Sequence, residues 1–299
     1  MMNHMWKPSR YVPFIFSGAC VLLVLLEATT AQAITYYVAT IGDDANPGTL
    51  NQPFKSFAQS IRMLQPGDTL YIRGGTYTEQ MDFQSPNKTG TATGWITIAG
   101  YIGETVTIRY SNPATFSYGP IKARGARGYF IFDNLVLDGT DLGNKTGWSI
   151  RDGNHHFILR NLKIKNFTRS GLYIAANDVQ VINCTIYDQL SISGEAGERH
   201  YGIYFREGSN GVIEGNDIYN NPGGGIQAYP GPISNLVIRN NSIHHNNSLA
   251  SSPIGGIILQ GSSSNVTTNT KIYNNLVYSN GSSPTSGGGS GIEINVHTS

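Results

Sequence analysis

Asn183-Cys184-Thr185-Ile186, then Gly202-Ile203-Tyr204-Phe205, Asn216-Asp217-Ile218, Gly225-Ile226-Gln227-Ala228 and Asn241-Ser242-Ile243 follow one another along the chain. An Asn before a short apolar run alternates with a Gly before another. The alternation continues outward on both sides, through Asn134, Gly147, Asn161 and Gly171 upstream and through Gly256, Asn275 and Gly291 downstream. Successive Asn are 27, 22, 33, 25 and 34 residues apart. A repeat of that length, with insertions of varying size, is the mark of a solenoid. Within each run, β-branched and aromatic residues take alternate positions, so a strand built from it has one inward and one outward side. One coil cannot bury its inward side alone, whereas stacked coils bury it on each other. The recurrent Asn is assigned to an interior ladder, bonding to backbone and to the equivalent Asn one coil away.

Composition agrees with an all-β solenoid. Gly (36) and Asn (27) make up about a fifth of the 299 residues, and charged residues are 13%. That excludes a coiled coil or helix bundle, while 39% hydrophobic and 10% aromatic content excludes disorder. Residues 1–33 read as a signal peptide: basic Lys7 and Arg10, an apolar stretch from Val12 to Leu26, and the small-residue site Ala31-Gln32-Ala33. The expectation is a secreted protein, extracellular or periplasmic, that begins at Ile34 and has no membrane attachment once the leader is removed. Cys184 would then be its one cysteine, leaving no internal disulfide. The formal charge of +1 falls to zero when Lys7, Arg10 and Glu27 leave. A neutral chain has no global field for nucleic acid, and none is expected as a partner.

Residues 34–299 are read as one domain. Its first part, 34–80, holds a cap and the first strands. Pro53 is expected to open a short helix with Phe54, Phe57, Ala58, Ile61 and Leu64 on one side, placed as a lid on the solenoid's open end. Regular coils are expected over 128–299. The far end carries no comparable lid, so Ile292 and Ile294 should meet water there; the expectation is a longer natural chain or a covering partner.

Tyr36-Tyr37-Val38-Ala39, the turn Gly42 to Thr49, and Pro66-Gly67-Asp68-Thr69 running on to Gly74-Gly75-Thr76-Tyr77 resemble the opening of secreted right-handed parallel β-helix proteins of the pectate-lyase-like superfamily. His200-Tyr201-Gly202 and Gly223-Gly224-Gly225 resemble the same group's repeats. The resemblance implies the right-handed parallel β-helix fold. It leaves activity open, because the superfamily holds lyases, hydrolases, epimerases and non-catalytic binding proteins. The Asn-Thr-Asp, Asp-Asp, Gly-His-Gly and Arg-Ile-Lys motifs of polygalacturonases are missing from the coils. Family-nine pectate lyases hold calcium on clustered Asp; here the acids that could bind a calcium ion, Asp138, Asp141 and Asp152, are loosely spaced.

Alternation along the Gly-led strands points Ile203 and Phe205 inward, and Tyr204 and Arg206 outward. The same register puts Lys122, Arg124, Ser149, Arg151, Tyr173, Gln227, Tyr229, Ile258 and Glu293 on one outward ribbon, with coils about 4.8 Å apart. Basic residues lie at its front and tyrosines in its middle. Arg forks grip carboxylates and Tyr rings stack on sugars, although Tyr is also simply a good strand former. The insertions Thr140–Thr146, Gln189–Arg199, Ser248–Pro253 and Gly281–Gly289 all precede these strands and should wall the ribbon into a groove for a polymer.

The expected function is polysaccharide binding and cleavage of acidic glycans by a lyase reaction; the alternatives are a non-catalytic carbohydrate-binding β-helix and a glycoside hydrolase. A lyase needs a group to neutralise the uronate, a base and an acid. Arg206 or Arg151 fits the first role, His200 or Arg206 the second, and Tyr204 the third. Lys122, Arg124, Arg151, Tyr173, Gln227 and Tyr229 are the expected substrate contacts. Hydrolysis would need facing carboxylates, for which Glu207 with Glu195 or Glu198 is the nearby set. The pairs His155-His156 and His244-His245 should alternate faces and so not share one metal.

Overall fold

The computed structural model describes residues 32–110, 119–140, 146–191, 200–247, 255–261, 265–281 and 291–295. Residues 1–31, which make up nearly all of the expected leader, Asp141, Glu195, Glu198 and most of the four insertions lie outside the described residues. No helix among the described residues is long and apolar enough to cross a membrane.

Strands stack in parallel into three sheets, giving a right-handed β-helix. The first sheet has nine strands, from Thr35–Val38 to Lys271–Tyr273, and the second has eight, from Gly75–Tyr77 to Leu276–Tyr278. The third runs through Trp148–Ile150, Leu172–Ala175, Tyr201–Ser209, Gly224–Ala228, Ile257–Gln260 and Ile292–Asn295. The short pair Met81–Asp82 and Ile121–Lys122 precedes it. Regular coiling therefore starts at Thr69, two coils earlier than the repeat alone indicates.

The inward columns are continuous. Leu70, Ile98, Phe132, Leu159, Val181, Ile213 and Ile238 are successive partners on the first sheet. Ile164, Ile186, Ile218 and Ile243 do the same on the second. All of these are buried, each contributing about 1.5–3 kcal/mol of hydrophobic stabilisation. The recurrent Gly marks the tightest corner. A Cβ on Gly147 would lie 2.2 Å from the carbonyl oxygen of Gly171, and one on Gly225 2.5 Å from that of Gly256. Backbones of neighbouring coils touch there, and only hydrogen fits.

The Asn reading needs a one-residue correction. Asn134, Asn161 and Asn183 are not in the ladder; they have φ of 53°, 55° and 51° and make the left-handed turn between the first and second sheets. Asn tolerates that conformation better than other non-Gly residues. In later coils Gly215, Asn240 and Asn274 take this turn position. The interior ladder is Asn216, Asn241 and Asn275: the Asn216 amide donates to Asn241 Oδ1 at 2.9 Å, and the Asn241 amide to Asn275 Oδ1 at 2.8 Å. In earlier coils the ladder position holds Leu135, Leu162 and Cys184. A second ladder, Asn221, Asn246 and Asn280, runs along the next corner.

The lid helix spans Phe57–Met63 and starts later than Pro53 suggests. Ser56 is its N-cap, accepting from the backbone N–H of Gln59 at 3.1 Å. Phe54 instead bridges to Val38. Phe57 stacks on Tyr77 with centroids 4.9 Å apart, so the helix does cover the first coil.

Candidate functional site

The expected outward ribbon exists as a register. Ser149, Tyr173, Tyr204, Gln227, Ile258 and Glu293 are successive partners on the outer face of the third sheet. It is not an open ribbon. Tyr204 is only 1% exposed and forms a small apolar cluster with Tyr201 and Ile258, against which Tyr173 and Tyr229 pack. Tyr201 and Tyr204 stack at 5.7 Å, and Tyr173 tilts against Tyr204 at 5.5 Å. Gln227 is buried as well. Rings enclosed this way stabilise the outer face and leave Tyr204 no open route for donating a proton to a polymer.

His200 is likewise enclosed, at 1% exposure, and its carbonyl accepts from the Gly223 N–H at 2.9 Å. Six residues of near-extended chain separate it from Arg206, about 20 Å at strand rise. A uronate gripped by Arg206 would present its proton far from this enclosed ring, and His200 is withdrawn as a base there.

At the front, the cations already have carboxylates. Lys122 bonds Asp82 at 2.7 Å, Arg124 bonds Asp152 at 3.2 Å, and Arg151 lies 4.0 Å from the same acid. Asp138 sits elsewhere, on the outer face of the second sheet. It accepts from Arg109 at 2.8 Å, from Asn166 at 2.9 Å and from the Thr140 hydroxyl at 2.7 Å. Although burial raises its pKa, these hydrogen bonds together outweigh it and hold the carboxyl well below the usual range. Asp138 and Asp152 thus lie apart, each engaged by guanidinium groups. They do not fit a shared calcium site, and no cluster of three metal-binding side chains occurs among the described residues.

The His pairs do not alternate either. His156 and His245 have φ of 56° and 53°, which turns each toward its neighbour. Nδ1 faces Nδ1 at 2.9 Å in His155–His156 and at 2.8 Å in His244–His245.

What the structure brings together lies at the far end of the Tyr201–Ser209 strand. Register slips there: Ile174 pairs with Phe205, but Ala175 pairs with Glu207. Arg206 is the extra residue of a β-bulge, and Glu207 takes the outward place that strict alternation assigns to Arg206. Bulges re-aim side chains and are frequent beside functional sites. The Arg206 guanidinium lies 3.6 Å from Glu207, and the nearby Tyr173, ahead of Glu207, raises its pKa further. A guanidinium so held stays charged, which removes Arg206 as a base and suits it to gripping an anion.

Beside Glu207 opens a cleft of about 420 Å³ built across four coils, from Gly153 and Asn154 through Ala175–Asn177 and Glu207–Ser209 to Pro232 and Ser234. Small side chains make the room. Gly208, at φ 132°, brings its backbone against Ala176, whose carbonyl oxygen would stand 2.1 Å from any Cβ. The cleft and Glu207's place in it escape a reading that carries strict alternation through the strand.

Relatives share this architecture. A pectate lyase of Emericella nidulans is 36% identical over 88 residues, which is 29% of this chain and 21% of the relative. The match therefore spans about a fifth of that protein's length. The crystal structure of pectate lyase Pel9A superposes with a TM-score of 0.65 at 20% identity, covering 88% of this chain and 68% of that one. A rhamnogalacturonan lyase structure does so with a TM-score of 0.60 at 18% identity, covering 81% and 62%. The structure of a glycoside hydrolase superposes as well, with a TM-score of 0.53 at 10% identity, covering 81% of this chain and 88% of that one. The model for a Pel9A-like right-handed β-helix region matches residues 36–199, and that for a right-handed β-helix region matches residues 121–299. By these matches, each over more than half its length, the chain belongs to the Pel9A-like right-handed β-helix family.

Proposed function

We propose that the chain acts outside the cytoplasm on acidic, uronate-containing polysaccharides and cleaves them by β-elimination at the bulge of the third sheet. The observation that carries this reading is the grouping of Arg206, Glu207 and Tyr173 beside a cleft that crosses four coils. A uronate carboxylate entering the cleft would pair with Arg206 in place of Glu207, making the adjacent C–H more acidic. The displaced Glu207 carboxylate takes that proton, the C–H electron pair becomes the new C=C bond, and the C–O bond to the leaving sugar breaks. Tyr173 then protonates the leaving oxygen. The products are one unsaturated and one saturated chain end.

The test is ultraviolet absorbance of unsaturated uronate on a panel of pectate, alginate, chondroitin and hyaluronan. One polymer should give a rising signal, and Arg206→Ala should lower turnover by about 10²–10³ fold with the fold intact. No signal on any of them, or full activity in Arg206→Ala, overturns the assignment. A second reading, binding without cleavage, is favoured by the sealed Tyr204, which takes the expected acid out of reach of a polymer. It predicts retention on an acidic glycan with no absorbance change.

A further inference from the structure

The second sheet carries an outer face that plays no part in the chemistry above. Asp138, Lys165, Tyr187, Tyr219, His244 and Tyr278 are successive partners along it. From Tyr187 onward the rings form one stack, with centroids 5.1, 5.2 and 4.8 Å apart and interplanar angles of 17°, 5° and 15°. Each ring covers its neighbour's face, so edges and hydroxyls are turned outward. The Tyr187, Tyr219 and Tyr278 hydroxyls have no hydrogen-bond partner among the described residues. Burial raises the pKa of Tyr219, with help from Tyr187, so that hydroxyl remains a donor.

The neighbouring outward column runs through Thr107, Val136, Lys163 and Thr185, and its Lys163 is exposed and has no ion-pair partner among the described residues. Lys165 stands 3.8 Å from Asp138, but that carboxylate is held more closely by Arg109 at 2.8 Å, which leaves Lys165 the weaker partner. The acids nearby are all engaged. Asp138 is taken by Arg109 and Asn166, Asp217 by His244 Nε2 at 3.0 Å, and Asp188, at the corner, by Asn220 at 3.1 Å. Among the described residues the face thus offers hydroxyl donors, two lysines and no carboxylate without a hydrogen-bond partner. Its hydroxyls stand one coil apart at Tyr187 and Tyr219 and two coils apart at Tyr219 and Tyr278, multiples of a rise of about 4.8 Å that is close to the advance of one pyranose in an extended chain.

We propose that this face is a second glycan-binding surface. It holds an extended acidic polysaccharide along the solenoid axis, with Lys163 and Lys165 on its carboxylates and the tyrosine hydroxyls on its ring oxygens and hydroxyls. The proposal rests on the reading of the chain as glycan-active, but not on the chemistry at Arg206. A nucleic acid is the poorer fit, because its phosphates call for a denser row of cations than two lysines supply. Two sites on one rigid body would keep the polymer bound between encounters with the cleft.

The test is electrophoresis of the full chain through gels containing polygalacturonate or alginate, with each mobility taken relative to a glycan-free gel. Lys163→Glu with Lys165→Glu should raise the dissociation constant at least about threefold, the worth of two exposed charged contacts. Its turnover on short oligosaccharides should stay at the starting value. Lys55→Glu with Lys271→Glu, the same charge change away from this face, should leave retardation intact. Should the first pair unfold, Lys163→Ala, at an exposed position, carries the test with a smaller shift. Unchanged retardation in the Lys163 variants, equal loss in the Lys55 pair, or equal retardation by a nucleic acid overturns the proposal. Cleavage without lysine-dependent retardation would sink this inference alone. Lysine-dependent retardation without cleavage would sink the lyase reading alone.

Discussion

Asn183 and Cys184 show how far single residues can be read from a repeat. The period places an Asn at each corner, but two adjacent positions there favour Asn for different reasons: one needs a left-handed backbone, the other an amide that bonds across coils. Asn240-Asn241 and Asn274-Asn275 fill both, Gly215-Asn216 only the inner one with Asn, and Asn183-Cys184 only the outer one. Spacing alone cannot separate neighbours, so the ladder was legible as a feature and not as a register. The two positions respond differently to substitution. Asn241→Ala removes an amide that donates to Asn275 Oδ1 and to the Ile213 carbonyl and accepts from Asn216. The cost should be about 1–3 kcal/mol, seen as a lower melting temperature. Asn183→Gly, at an exposed left-handed position, should be close to neutral. Equal losses for the two would contradict the corrected register. Asp138 gives a pH-dependent counterpart. Its pKa is lowered in the folded state, so its stabilising contribution is full above the unfolded carboxylate's value of about 3.9 and fades as pH falls below it. Asp138→Asn should flatten that acid limb of a stability–pH curve; an unchanged limb would mean the network contributes nothing.

At the scale of the element, the Tyr201–Ser209 strand decides what the third sheet can do. Alternation correctly ordered its column up to Tyr204, because period-2 geometry is local. It failed at Arg206, because a bulge is set by what the partner strand and the backbone demand. Gly208 is part of that demand: its φ of 132° and the contact with Ala176 admit no side chain. Gly208→Ala should therefore cost more than an ordinary strand Gly→Ala change, about 1–3 kcal/mol from strain, and should lower cleavage as well. Loss of activity with an unchanged melting temperature would show that the contact is looser than the geometry states. Burial was equally invisible to alternation, which sorts residues by face but does not say whether an outward face is covered. That is why Tyr204 and His200, both outward or flanking in the sequence reading, proved to be enclosed.

Across the whole molecule, each coil is held mainly by its neighbours, so stability is a running sum of interfaces and not one cooperative core. Those interfaces differ along the axis. In the front half, Phe83, Phe130, Phe132, Trp148 and Phe157 interlock, with Phe132 and Trp148 4.5 Å apart and Phe130 and Phe157 5.6 Å apart. Toward the back, Ile and the Asn ladders replace them, and the strand Ile292–Asn295 leaves Ile292 and Ile294 47% and 58% exposed. Aromatic burial is larger per residue than aliphatic burial, and ring pairs add about 0.5–1.5 kcal/mol each beyond area. Opening should therefore begin at the back coils and move forward. Native-state hydrogen exchange would read this directly. Amides of Phe130–Leu159 should exchange at the highest opening free energy, those of Lys271–Tyr278 at a lower one, and those of Ile292–Asn295 first. Uniform protection along the axis would mean the solenoid unfolds as one unit, and the ladders would then have to supply at the back what the rings supply at the front. The Asn241→Ala change distinguishes those cases: in a graded solenoid it lowers protection in its own coil and those behind it while leaving Phe130–Leu159 unchanged.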